Sequence, residues 1–146
     1  WHSDSEGKAG LWKNKKYQER YFTLWEELAE NFKNEEAVAG YNILNEPVIK
    51  EDGEKILRPF YKEAVKRIRA VDNKHIIFLE GNIWSQRLED IGKPFADNLS
   101  YSVHFYPPLE FTFNFHRNLK YIKGSTVKLN IVEGINLKGG DTLFSF

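Results

Sequence analysis

Three short stretches of this 146-residue chain end in side chains able to do acid–base and hydrogen-bond chemistry. "VAGYNILNEP" runs apolar from Val38 and stops on Asn45, Glu46 and Pro47, "HIIFLEGN" stops on Glu80 and Asn82, and "LSYSVHFYPP" carries His104 and Tyr106. A carboxylate that follows a buried apolar run sits in a partly desolvated cleft, where its pKa rises toward the range useful to a general acid. That makes Glu46 a candidate proton donor. The amide of Asn45 beside it can hydrogen-bond a substrate hydroxyl without changing charge. Pro47 ends the strand and turns the following residues outward over the cleft. Each residue also has an ordinary alternative: a surface pair and turn proline at 45–47, a satisfied core histidine at 104, lid or core packing at Trp84.

The elements that must position these residues alternate. "NKKYQERYFTLWEELAENFKN" places Tyr17, Tyr21, Leu24, Leu28 and Phe32 at the spacing of one helical face, with Glu and Lys opposite. "GEKILRPFYKEAVKRIRAVD" repeats that spacing through Ile56, Phe60, Ala64, Ile68 and Val71, with Pro59 near its start. Strands are expected at Val38–Pro47, His75–Gly81 and Leu99–Pro108, a weak helix around Ser85–Ile91, and a further strand near Thr126–Val132. This rhythm is that of βα units: an α/β fold in which parallel strands alternate with helices that cover the sheet. No strand is followed by a glycine-rich nucleotide fingerprint. Polar residues gathered at the carboxyl ends of strands fit a (β/α)8 TIM barrel, where that end carries the chemistry. A whole barrel takes roughly 250 residues, so this length holds a portion of one.

Composition narrows the partners. Lys plus Arg equals Asp plus Glu at 21 each, which leaves no net field to draw nucleic acid. No apolar run reaches the length of a membrane span. Cysteine is absent, so neither disulfides nor thiolate metal sites form. No metal or organic cofactor is expected. The chain opens on Trp1, has no methionine and shows no signal peptide, which reads as an excised, truncated or damaged piece of a longer sequence.

"GYNILNEP", preceded by "LWEELAENFKNEEAVA" and followed at a distance by "HFYPP", resembles the family 5 glycoside hydrolases, retaining (β/α)8 enzymes of the cellulase type. The resemblance covers roughly 11–112 and implies that 1–146 is a partial catalytic domain. It makes Glu46 the acid/base and Asn45 the ligand of the sugar 2-hydroxyl. It puts His104 and Tyr106 at the substrate and nucleophile, and Trp84 in "EGNIW" as a sugar platform. Trp12 and Trp25 are read as packing, Glu80 as structural, and His2 is given no role.

The family's nucleophile ends a later strand. Here "LNIVEG" offers only Glu133, which arrives early in a segment, 113–146, that departs from the family pattern. The expected substrate is a β-1,4-linked polysaccharide or oligosaccharide, as for a secreted endoglucanase. Mannan or a glycolipid headgroup fits the same residues, as does a non-catalytic carbohydrate-binding remnant. Without the usual nucleophile strand, the isolated chain is expected to be a weak catalyst.

Overall fold

The computed structural model describes residues 9–107 and 109–113. Up to His104 they form one compact unit, and from Phe105 a second. In the first, α1 (Gly10–Lys13) and α2 (Lys15–Phe32) precede β1 (Gly40–Asn42), then come α3 (Gly53–Val71) and β2 (Ile76–Glu80). A one-turn segment α4 (Asn82–Ser85) and β3 (Leu99–Ser102) follow. The strands pair in parallel in the order β1-β2-β3, with Asn42 opposite Phe78 and Glu80 opposite Ser102. All three carboxyl ends therefore lie along one edge. The second unit contributes α5 (Leu109–Thr112).

Local chemistry explains where the elements stop. Asn14 caps α2 by accepting from the Lys16 amide at 2.9 Å. α3 leaves Asp52 in the left-handed region and ends at Asp72, whose amide still donates to Ile68. Pro59 lies inside α3, beyond the first turn where the sequence suggests it is best tolerated, and the helix continues through it.

The α2 face keeps Tyr21 of the expected stripe but not the rest of its outer members. Tyr17, Leu24 and Phe32 are exposed, whereas Phe22 and Ala29 are buried with Trp25 packed beside them. The helix is rotated so that Phe22 and Tyr21 meet Phe60 of α3, at ring distances of 5.1 and 4.8 Å. Aromatic area decides here: this face buries more of it than the Tyr17–Leu24–Phe32 stripe. Trp12 also joins the cluster, edge-on to Phe60 at 5.3 Å, so Trp12 and Trp25 pack as expected. On α3, Leu57, Phe60, Tyr61, Ala64, Val65 and Ile68 are buried against Ile77 and Leu79 of the sheet.

The expected helix at Ser85–Ile91 is not formed. α4 stops at Ser85, and Ile83, Trp84 and Ser85 all have positive φ (52°, 54° and 61°), which no helix continues through. The expected strand near Thr126–Val132 lies outside the described residues, as does Glu133.

At the amino end of the sheet a buried polar cluster closes the fold. Tyr41 donates to Asp72 Oδ2 at 2.5 Å, His75 Nδ1 lies 2.6 Å from the same oxygen, and the Lys74 and His75 amides donate to Oδ1. Burial pushes the Asp72 carboxyl up, but these donors outweigh it and hold its pKa down at about 2. A carboxyl depressed in the folded state contributes stability that is complete above its unfolded value near 4. That contribution is lost as pH falls through about 2. Asp72→Asn is therefore expected to lower unfolding free energy by roughly 1–2 kcal/mol at pH 7. In urea titrations across pH 7 to 2 the gap from the parent should close with acid. A gap that stays constant would rule the linkage out.

Candidate active site

The carboxyl edge of the sheet carries four of the sequence-predicted residues, Asn45, Glu46, Trp84 and His104. β1 runs out at Asn42, and Ile43 and Leu44 stay buried while Asn45 is exposed and Glu46 half-buried. Glu46 takes a left-handed backbone, φ 47°, unusual for a residue with a side chain. Its amide donates to Glu80 Oε2 at 2.7 Å, so the turn that aims the side chain is fixed from the neighbouring strand. Pro47, Val48 and Ile49 then return to the interior.

Glu80, the last residue of β2, is fully buried. A buried carboxylate is tolerated only when well bonded. Oε1 accepts from Asn42 Nδ2 at 2.6 Å and lies 3.3 Å from His104 Nε2, while the main-chain carbonyl accepts from buried Tyr61 at 2.8 Å. His104 reaches the other way too, its Nδ1 lying 2.6 Å from Glu46 Oε1. The bond to Glu46 raises the His104 pKa, burial opposes it, and the Glu80 charge adds to the rise. The imidazole is thus a bridge between two carboxylates.

The loop after β2 ties the rest together. Asn82, fully buried, accepts from the Ile49 amide and donates to the Ile49 carbonyl, both at 2.8 Å, and reaches Asp90. The Trp84 amide donates to the Pro47 carbonyl at 3.3 Å. Ser85 donates through its hydroxyl to the Ser102 carbonyl at 2.7 Å, and its own carbonyl accepts from the His104 amide at 3.2 Å. Gly53 is packed so closely here that an added Cβ would stand 2.1 Å from Asp90 Oδ2. These bonds account for the run of positive φ: the chain is bent to present Trp84, which is 46% exposed, instead of burying it.

Glu46, His104 and Trp84 are therefore set out by three adjacent strand ends, with Asn45 exposed next to Glu46. His104, expected at the nucleophile, is joined to Glu46 and Glu80. Tyr106 lies in the second unit, where its ring packs 5.3 Å from Phe113 and its carbonyl accepts from Thr112. Sequence reasoning treats Glu80 as structural and passes over Asn42. The available signal is a charged residue closing the apolar run "IIFL", which must find a partner if buried. Among the described residues no group of three His, Asp or Glu side chains converges to hold a metal. The arrangement can exchange a proton between Glu46 and His104, bond a hydroxyl at Asn45 and stack an apolar ring face on Trp84.

Comparison with known proteins bears on the family and the fold. The family model described as cellulase, glycosyl hydrolase family 5, matches residues 1–134, a span that takes in Glu133. A β-xylosidase of Phanerodontia chrysosporium is 35% identical over 109 residues, covering 73% of this chain and 22% of the relative. Cellodextrinase A of Ruminococcus flavefaciens is 29% identical over 139 residues, covering 94% and 38%. The chain thus spans 22–38% of the length of these curated relatives. Among solved structures, a mutant form of Thermotoga maritima Cel5A in complex with cellobiose superposes with a TM-score of 0.61 at 29% identity, covering 73% of this chain and 35% of that one. The same enzyme with mannotriose gives 0.58 at 26%, covering 78% and 38%. The described strands and helices are a portion of a (β/α)8 barrel.

Proposed function

The chain belongs to the cellulase family, glycosyl hydrolase family 5, and on that premise we propose that the protein hydrolyses β-1,4-glycosidic bonds of a glucan with retention of configuration, Glu46 being its acid/base. The observation that supports this most is the placement of Glu46. It is half-buried at a strand carboxyl end, its backbone pinned by Glu80 and its carboxylate bonded to a histidine able to hold a proton. Glu133 is the carboxylate we assign as nucleophile, and because it arrives early for the family's nucleophile strand, turnover by this chain alone is expected to be weak.

In the first step Glu133 attacks the anomeric carbon as Glu46 gives its proton to the glycosidic oxygen. The bond to the leaving sugar breaks through an oxocarbenium-like transition state, leaving a glycosyl ester on Glu133. In the second, Glu46 takes a proton from water, which attacks the same carbon and releases the sugar. Asn45 bonds the 2-hydroxyl, Trp84 carries an apolar sugar face, and Tyr106 orients the nucleophile. Cellobiose in the Cel5A complex supports a glucan, and mannotriose in the same enzyme supports mannan as a second substrate. We place the enzyme outside the cell, where its polymer is found. No described helix is long and apolar enough to cross a membrane.

A 2-deoxy-2-fluoro cellobioside with a dinitrophenyl leaving group tests the assignment. It esterifies the nucleophile and cannot readily turn over, so the labelled peptide is expected to contain Glu133. NMR of early hydrolysis should show the β-anomer first. A label elsewhere, or the α-anomer first, would refute this reading, and no label with retained sugar binding would make the protein a non-catalytic binder.

A further inference from the structure

We propose that Glu80 is a positioning residue for the acid/base, holding Glu46 by its backbone amide and holding His104 in the tautomer that leaves Nδ1 facing Glu46. The inference rests on the assignment of Glu46 above, but its geometry stands apart from any activity. Glu80 is fully buried and its two oxygens are divided between tasks. Oε2 receives the Glu46 amide at 2.7 Å, and Oε1 receives Asn42 at 2.6 Å with His104 Nε2 at 3.3 Å. A histidine between two carboxylates keeps its last proton toward the one that stays ionised; when Glu46 holds the shared proton that one is Glu80, and the other nitrogen becomes the acceptor. Here the other nitrogen is the one 2.6 Å from Glu46.

The proton count follows. With His104 as imidazolium, Nδ1–H faces Glu46 Oε1 and Nε2–H faces Glu80 Oε1, and the three side chains carry one net negative charge. Moving the Nδ1 proton to Glu46 leaves a neutral imidazole, a protonated Glu46 ready to donate, and an undisturbed Nε2–H bond to Glu80. The net charge is unchanged. Among the described residues, the charged groups that face His104 are Glu46 and Glu80. Without Glu80, neutral His104 would keep its proton on Nδ1, bonded to the Glu46 carboxylate, and the proton would not pass on. Glu80 also supports the left-handed turn at Glu46, so one side chain sets both the aim and the proton supply of the acid.

Imidazole ¹⁵N NMR of the histidine-labelled chain decides the point. While Glu46 holds the shared proton, neutral His104 in the parent is expected as the Nε2–H tautomer, and the imidazole titrates above ordinary histidine. In Glu80→Gln the midpoint should fall by about one unit, which cuts the protonated fraction about tenfold at pH above both midpoints. The basic limb of kcat/KM on a poor-leaving-group glycoside should move down with it, at unchanged KM. If neutral His104 in the parent is the Nδ1–H tautomer, or Glu80→Gln leaves midpoint and limb in place, the proposal fails. The parent spectrum suffices should the variant not fold. Hydrolysis that stays at the parent rate in Glu46→Gln, with the predicted tautomer present, would refute the acid/base reading and uphold the Glu80–His104 pairing.

Discussion

Glu46→Gln is expected to cut hydrolysis of cellulose oligomers by about 10²–10⁴-fold, the share that a positioned general acid supplies. The replacement keeps shape: the new side-chain carbonyl can still accept from His104 Nδ1 where Oε1 now lies at 2.6 Å, and the backbone amide can still reach Glu80. What it lacks is a proton to give and a base to take one. A dinitrophenyl glycoside departs without protonation, so its first step should lose little and the glycosyl ester should accumulate. Azide needs no deprotonation, so it should attack the ester, displace the carboxylate and restore turnover as a β-glycosyl azide. Kinetics on the two leaving groups with and without azide check this. A Glu46→Gln protein that cleaves oligomers at the parent rate would remove Glu46 from the mechanism.

The largest effect on stability is expected at Phe60. Its ring meets Trp12, Tyr21, Phe22 and Tyr61 at 4.8 to 6.3 Å, so α1, α2 and α3 all converge on it. Phe60→Ala removes that shared surface and leaves a cavity that four rigid rings cannot fill by small movements. A loss of about 3–5 kcal/mol follows, with Tm lower by on the order of 10–20 °C. Phe60→Leu should recover much of it by refilling the volume. Thermal unfolding of the pair checks the claim. An alanine variant within about a kilocalorie of the parent would show that the cluster is not what joins α2 to α3.

The parts of this fold that follow a repeating pattern are readable from sequence. α3 and the three strands announce themselves by period, and the strand ends mark the active edge without any knowledge of contacts. Asn45–Glu46–Pro47 is readable because three side-chain types with distinct duties fall together after an apolar run. The α2 face is misread because two apolar stripes compete on it. Only the partner ring of Phe60 selects between them, and that partner lies far along the chain. The Ser85–Ile91 segment fails for a related reason. The backbone leading into it is fixed by bonds from Asn82, Trp84 and Ser85 to Ile49, Pro47 and Ser102, none of which leaves a trace in local propensity. Glu80 shows the limit most plainly: a carboxylate closing an apolar strand looks the same in sequence whether it faces water or anchors a histidine.

The amide of Asn82 stands in for a missing strand. By bonding both the N–H and the carbonyl of Ile49, it gives one loop residue the pairing that a sheet neighbour would supply. With the Glu46 amide held by Glu80 at the other end, the residues from Glu46 to Ile49 form a short span clamped at both ends. Such a span has little configurational freedom left to surrender when a sugar arrives. The entropy of ordering the acid has been borne at folding, so ligand binding can be directed to the sugar and not to shaping the loop.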